Sequence, residues 1–87
     1  MELRGKAALI TGGGRGIGRA TALALAREGC AVAVCARTPD ELDETARLVR
    51  DAGGKALALV ADVSVEADAE RAVAETIREF GALDVLV

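Results

Sequence analysis

Short apolar runs alternate with longer amphipathic segments along the whole chain. The apolar runs predict β-strands at residues 6–11, 31–36 and 56–61, and a fourth strand at 83–87. Between these runs, apolar residues recur every three or four positions, which predicts helices at 16–28, 39–52 and 65–80. The pattern therefore predicts the element order β-α-β-α-β-α-β.

The ends of the predicted helices carry residues that commonly start and stop helices. Gly29 and Gly81 occupy positions typical of a helix C-terminus, and Gly53-Gly54 should stop the second helix. The segment Thr38-Pro39-Asp40-Glu41 predicts a capping box, and Ser64 is expected to cap the third helix. The predicted inward faces are Ile17, Ala20, Ala24 and Leu25 in the first helix, opposite Arg19 and Arg27; Leu42, Ala46 and Val49 in the second; and Ala69, Val73, Ile77 and Phe80 in the third.

The strands are apolar throughout and show no alternation with polar residues. Such strands are covered on both faces, as in a parallel sheet with helices on either side. Right-handed crossovers then give an α/β fold, a Rossmann-type doubly wound parallel sheet with strand order 3-2-1-4. Residues 1–87 would form only the N-terminal half of such a domain, so the sheet is expected to be incomplete.

Composition narrows the function classes. The 87 residues allow one small domain, and 52% hydrophobic with 29% charged residues is typical of globular proteins. A net charge of −3 gives no electrostatic footprint for nucleic acid or an anionic membrane. No apolar run is long enough to span a bilayer, and residues 1–6 lack the features of a signal peptide. We therefore expect a cytoplasmic protein without nucleic-acid or membrane partners.

Histidine is absent, which removes histidine-based catalysis and histidine–metal sites. The two cysteines, Cys30 and Cys35, lie five residues apart on one predicted strand, which places them on opposite faces. A disulfide or a shared metal is therefore disfavoured, and both are predicted to be buried apolar filler.

A glycine cluster, Thr11-Gly12-Gly13-Gly14-Arg15-Gly16-Ile17-Gly18, joins the first strand to the first helix. Backbone N–H groups and a helix N-terminus meet there, which suits an anion such as a diphosphate. The P-loop pattern fails, because Arg19 and Ala20 follow Gly18, and the G-x-G-x-x-G pattern fails at Ile17. The spacing that fits is T-G-x-x-x-G-x-G; a glycine-rich turn without a ligand is the alternative.

The ends of the second and third strands carry the next candidate residues. Dinucleotide-binding domains specific for NAD place an acid at the end of the second strand, but here Ala36 occupies that position and Arg37 follows it. A guanidinium suits a 2′-phosphate, and Arg15 could approach the same group; the alternative is that both are solvated surface charges. Asp62 and Val63 end the third strand, where they could contact an adenine ring, although Asp62 could also cap the next helix.

With these motifs in place, the sequence resembles the short-chain dehydrogenase/reductase family over essentially its whole length. The carrying segments are 11–20 (TGGGRGIGRA), 62–64 (DVS) and 80–87 (FGALDVLV). The resemblance implies an NADP(H)-dependent oxidoreductase that transfers hydride to a carbonyl, most like the 3-oxoacyl carrier-protein reductase group. It also implies that Asp84 is the family's structural carboxylate in the central sheet. The expected cofactor-binding residues are Gly12, Gly14, Arg15, Gly16, Ile17, Gly18, Arg37, Thr38, Asp62 and Val63.

The family's catalytic serine and Tyr-x-x-x-Lys have no counterpart here, because tyrosine is absent and the one serine, Ser64, is placed as a helix cap. We therefore assign no catalytic or metal-binding residue and expect these 87 residues alone to be inactive. The complete protein is expected to act on a small carbonyl or acyl substrate as a homo-oligomer. The alternative is a stand-alone, non-catalytic module that binds a nucleotide or a partner.

Overall fold

Helices and strands alternate along residues 3–87, the part of the chain that the computed structural model describes. The order is β1 (Ala7–Thr11), α1 (Gly16–Arg27), β2 (Ala31–Ala36), α2 (Pro39–Asp51), β3 (Ala56–Val60), α3 (Glu66–Phe80) and β4 (Val85–Leu86). This confirms the predicted element order. The strands β1, β3 and β4 and all three helices are one to three residues shorter than predicted, because their ends merge into turns.

The four strands form one parallel sheet in the order β3-β2-β1-β4, as predicted. Pairing is in register at the carboxyl ends, where Thr11 lies beside Cys35 and Cys35 beside Leu59. The loops that follow β1, β2 and β3 therefore emerge side by side at one edge of the sheet. This edge is where an open α/β sheet ordinarily binds its ligands.

Two apolar clusters cover the two faces of the sheet. The first, between the sheet and helices α1 and α2, is built around Ile10, Ala22, Ala26, Cys30, Val32, Val34, Leu42 and Val49. The second, on the side of α3, is built around Leu9, Ala33, Cys35, Leu59, Ala61 and Ala72. The continuous apolar character of β2 is thereby explained, since its side chains enter both clusters.

Cys30 and Cys35 are both buried free thiols, and they belong to opposite clusters. Cys30 lies just before β2 rather than within it. Burial is the main cause that raises the pKa of each thiol. Both side chains therefore act as small apolar groups, as the sequence predicted.

The inward face predicted for α1 is correct only at Leu25, which is half-buried and packs against the first cluster. Ile17, Ala20 and Ala24 are exposed, and the buried positions are Ala22 and Ala26. The helix carries apolar residues on nearly every side, so the periodicity did not single out one face. The inward face predicted for α2, with Leu42, Ala46 and Val49, is confirmed.

The third helix matches its prediction at Val73 and Phe80, which are half-buried and pack against the second cluster, and differs from it at Ile77. Ala72 and Thr76 are the buried positions, while Ile77 is 44% exposed. Ser64 does not cap the helix: Val65 is the N-cap, and the Ser64 hydroxyl instead donates a hydrogen bond to Asp62 at 2.6 Å. A short hydroxyl side chain here finds a nearer acceptor in the carboxylate two residues before it.

The side chain of Asp84 ties β4 to the centre of the sheet. The backbone N–H of Ala7 donates to Asp84 Oδ2 at 2.9 Å, and the Asp84 N–H donates to the Ala7 carbonyl at 2.8 Å. Ala7 is only 3% exposed, so its N–H needs an acceptor from the protein. The carboxylate therefore has the structural position that the family resemblance implied.

Replacing Asp84 with alanine should lower the free energy of unfolding by about 1–3 kcal/mol, because the buried Ala7 N–H would lose its acceptor. Asp84→Asn keeps a carbonyl oxygen at the same place and should lose less than half as much. Urea unfolding followed by circular dichroism measures both variants. If the alanine and asparagine variants lost equal free energy of unfolding, the hydrogen bond to Ala7 would not be the source of the stabilisation by Asp84.

Candidate functional site

A cavity of about 430 Å³ opens at the carboxyl edge of the sheet. It is lined by Gly12, Gly14, Arg15, Cys35, Ala36, Arg37, Thr38, Glu41, Ala61, Asp62, Val63 and Ser64. Seven of the ten predicted cofactor-binding residues are in that set. The other three, Gly16, Ile17 and Gly18, form the first turn of α1 immediately beyond the lining loop. The topology thus brings together residues from three separate loops.

The glycines between residues 12 and 18 are needed for two different reasons. Gly12 and Gly16 have φ values of +67° and +61°, and a Cβ at either would meet no atom within 4 Å. These two glycines let the chain turn and leave an open surface beside the backbone. By contrast, a Cβ on Gly18 would lie 2.0 Å from the Gly12 carbonyl oxygen, and one on Gly13 would lie 2.7 Å from the Val34 side chain. Those two glycines are required by packing.

A partly buried polar network links the loop to α1 and α2. Arg19 donates through Nη2 to the Gly14 carbonyl at 2.7 Å and through Nε to Thr45 Oγ1 at 2.9 Å. The Thr45 hydroxyl lies 3.0 Å from the same Gly14 carbonyl, and Thr45 is fully buried. The loop is therefore fixed to α2 by directed hydrogen bonds.

Sequence reasoning missed this network. The helical pattern predicts Arg19 on the side of α1 opposite its apolar face, and Thr45 carries no motif of its own. The available signal was a single hydroxyl residue between the inward positions Leu42, Ala46 and Val49 of an otherwise apolar helix face. A buried hydroxyl requires a partner, and that requirement points to a polar group on the neighbouring element.

Thr38 and Glu41 behave differently from the predicted capping box. Thr38 is the N-cap of α2 and Pro39 its first residue, but the Thr38 side chain makes no capping hydrogen bond. The carboxylate of Glu41 forms an ion pair with Arg15 instead, with Nε and Oε2 3.2 Å apart. Thr38 therefore keeps an exposed side chain at the cavity wall.

Asp62 is held in place by its own turn. Its Oδ1 accepts hydrogen bonds from the Ser64 backbone N–H at 3.0 Å and from the Ser64 hydroxyl. These hydrogen bonds from Ser64 are the main reason that the pKa of Asp62 is below its usual range, and the positive charge of Arg37 adds to the effect. Asp62 thus stays ionised down to low pH, and Arg37 is close enough to influence it.

A larger concavity of about 740 Å³ lies at the opposite edge of the sheet. It is lined mainly by turns at helix ends, including Gly29 and Gly53, together with Lys6, Arg50 and Lys55. None of the predicted site residues borders it. The carboxyl-edge cavity is therefore the better candidate, since it combines an open glycine loop with charged groups from two further loops.

Comparison with known proteins agrees with this geometry. The family model described as short chain dehydrogenase matches residues 6–87. The chain belongs to the short chain dehydrogenase family. It is 41% identical over 88 residues to the short-chain dehydrogenase/reductase homolog YusS of Bacillus subtilis, and 49% identical over 80 residues to the short-chain reductase protein NovJ of Streptomyces niveus.

The solved structure of an NAD⁺-bound xylitol dehydrogenase superposes on 99% of this chain with a TM-score of 0.93 and 38% identity. The chain spans 33% of that structure and 30% of NovJ, but 81% of YusS. The family consists of oxidoreductases that bind a nicotinamide dinucleotide, and this chain corresponds to its N-terminal region. Within residues 3–87, no helix has the length and apolar character needed to cross a bilayer.

Proposed function

We propose that residues 1–87 are the N-terminal, NADP(H)-binding half of a dinucleotide-binding domain in a carbonyl-reducing or alcohol-oxidising enzyme. The observation that carries the cofactor choice is the wall of the carboxyl-edge cavity. Two arginines, Arg15 and Arg37, border it, while Ala36 stands where NAD-specific domains place an acid. A guanidinium binds a phosphate dianion through charge-assisted hydrogen bonds, whereas a ribose hydroxyl gives it no charged partner.

The residues present fit the anionic backbone of such a cofactor. Gly12 and Gly16 leave an open surface on the loop, and the N-terminus of α1 begins beside it. The first-turn N–H groups of a helix are unpaired within the helix and favour a negative group. We assign diphosphate contacts to the segment 12–18, the 2′-phosphate to Arg15, Arg37 and Thr38, and the adenine to Asp62 and Val63. When bound, the nicotinamide would donate hydride to a carbonyl in its reduced form, or accept hydride from an alcohol in its oxidised form.

No residue of this chain is assigned a catalytic role, so proton transfer and substrate binding are assigned to other parts of the complete protein. For that protein we propose a carbonyl or acyl substrate of the kind taken by 3-oxoacyl carrier-protein reductases. This subgroup assignment rests on the glycine-loop sequence together with Arg37. A cytoplasmic location and a homo-oligomeric complete protein remain expectations of the same proposal.

The cofactor choice can be tested on the chain itself by titration calorimetry with NADP⁺ and NAD⁺. The 2′-phosphate contact should favour NADP⁺ by about 10- to 150-fold, the equivalent of one charge-assisted hydrogen bond of about 1.5–3 kcal/mol. Replacing Ala36 with aspartate and Arg37 with leucine together should reverse the order. The new carboxylate would accept from the 2′-hydroxyl and repel the 2′-phosphate.

Arg27→Leu provides the matched control, since it removes an exposed arginine at the far end of α1. That variant should leave the ratio of the two dissociation constants unchanged. If the unmodified chain shows no preference for NADP⁺, or the double substitution shifts the ratio by less than about threefold, Arg37 is a surface charge only.

A second candidate is a non-catalytic nucleotide-binding module, because the assigned residues hold a nucleotide and none of them is catalytic. Both candidates share the nucleotide site. They differ in whether the complete protein turns over a substrate. Following NADPH absorbance with a panel of ketones and diketones separates them. Consumption that scales with protein concentration would exclude the module.

A further inference from the structure

Glu41 is the one acidic side chain of α2 that borders the carboxyl-edge cavity. Its backbone is firmly placed: the Glu41 carbonyl accepts from Arg19 Nη2 at 3.2 Å and from the Thr45 hydroxyl at 3.2 Å. Its Cβ is packed so closely against the loop that a Cβ on Gly14 would come within 3.2 Å of it. Because the backbone and the Cβ of Glu41 are fixed, its carboxylate stays close to the cavity wall.

The Glu41 carboxylate forms an ion pair with Arg15, one of the two cationic side chains that line the cavity. Arg15 Nε lies 3.2 Å from Glu41 Oε2, and the Arg15 side chain is 82% exposed while that of Glu41 is 34% exposed. A guanidinium on a flexible stem in solvent can exchange one anionic partner for another at low cost. A phosphate that binds the Nε side of this guanidinium must therefore displace Glu41.

The formal charges of the side chains that line the cavity also sum to zero. Arg15 and Arg37 contribute two positive charges, and Glu41 and Asp62 contribute two negative charges. Asp62 is engaged by Ser64, so its charge is fixed in place. The negative charge of Glu41 therefore has two effects: it repels an incoming phosphate dianion, and it pairs with Arg15, which would otherwise bind that phosphate.

We propose that Glu41 sets the nucleotide specificity of the site by competing with the 2′-phosphate for Arg15. This inference rests on the proposed function and deepens it. The presence of Glu41 lowers the preference for a 2′-phosphorylated nucleotide below what Arg15 and Arg37 would give together. Glu41 is accordingly a specificity-determining residue, and Arg19 and Thr45 position it through its carbonyl.

The test is the ratio of the dissociation constants for NAD⁺ and NADP⁺, measured by titration calorimetry on the full chain. Glu41→Gln keeps the shape and the backbone contacts and should shift the ratio toward NADP⁺ by about two- to fivefold, as expected for release of an exposed ion pair. Asp43→Asn makes the same charge change on an exposed position of α2 that does not border the cavity, and should leave the ratio unchanged. Glu41→Ala serves as a second variant, and circular dichroism checks that each variant is folded.

Repeating Glu41→Gln in an Arg15→Gln background isolates the competition. There the shift should fall below about 1.5-fold, because Arg15 is no longer present to be released. A shift that persists without Arg15 would overturn the competition, as would an unchanged ratio in Glu41→Gln while the unmodified chain binds both nucleotides. Failure of the unmodified chain to bind either nucleotide would instead overturn the proposed function.

Discussion

Replacing Gly18 with alanine should lower the free energy of unfolding by about 3 kcal/mol or more, which places the loss at or above the upper range for overpacking. The added Cβ would lie 2.0 Å from the carbonyl oxygen of Gly12 and 2.7 Å from its carbon. Both are backbone atoms, so neither can rotate away. A domain of this size has a total stability of about 4–13 kcal/mol, so the loss would remove roughly a quarter to three quarters of it.

Gly16→Ala is the control, since Gly16 lies two residues earlier in the same first turn of α1. Its φ is +61°, but a Cβ there would meet no atom within 4 Å. The substitution should cost about 1–2 kcal/mol from backbone strain alone. Thermal and urea unfolding by circular dichroism compare the two variants. If Gly18→Ala proved no more destabilising than Gly16→Ala, the close approach of α1 to the loop would be refuted.

Thr45→Val should lower the free energy of unfolding by about 2–3 kcal/mol, although valine has nearly the same shape. The substitution leaves Arg19 Nε without its acceptor and removes the hydroxyl that donates toward the carbonyls of Gly14 and Glu41. A hydrogen bond to a charged group contributes about 1.5–3 kcal/mol, and a partner left unsatisfied loses its solvation as well. The same variant should bind NADP⁺ more weakly, because the loop loses its support.

Thr76→Val makes the same change at another fully buried threonine. The Thr76 hydroxyl donates only to the Ala72 carbonyl of its own helix, at 2.7 Å. Removing this hydroxyl leaves no charged group without a partner, so we expect the free energy of unfolding to fall by less than about 1 kcal/mol. A double-mutant cycle of Thr45→Val with Arg19→Met should show coupling of at least about 1 kcal/mol. Additive losses would mean that the two side chains stabilise the protein independently.

The parallel sheet and its strand order could be predicted because strand and helix periods differ clearly along this chain. Runs such as Val32 to Cys35 are buried on both faces, and glycines such as Gly29 and Gly81 end helices with positive φ. Once the order was fixed, the carboxyl-edge loops followed from topology. This is why residues as distant as Gly12, Arg37 and Asp62 could be expected around one cavity.

The helix faces and the side-chain partners could not be predicted in the same way. In α1, small apolar residues lie on several sides, so only the packing against the sheet decides that Ala22 and Ala26 are buried and Ile17 is not. The choice of Glu41 between capping α2 and pairing with Arg15 depends on where the glycine loop passes. Such choices between two local partners are settled by tertiary distances that periodicity does not encode.

The contact between Ala7 and Asp84 has a consequence for the order in which the chain can fold during synthesis. The two residues are 77 positions apart, yet β4 must reach β1 to complete the middle of the sheet. Until residues 84–87 leave the ribosome, β1 keeps one edge unpaired and the Ala7 N–H has no acceptor from Asp84. Nascent chains with an open strand edge are prone to pair with other chains. Protection of β1 by a chaperone during translation would therefore matter more for this protein than for one built from local hairpins.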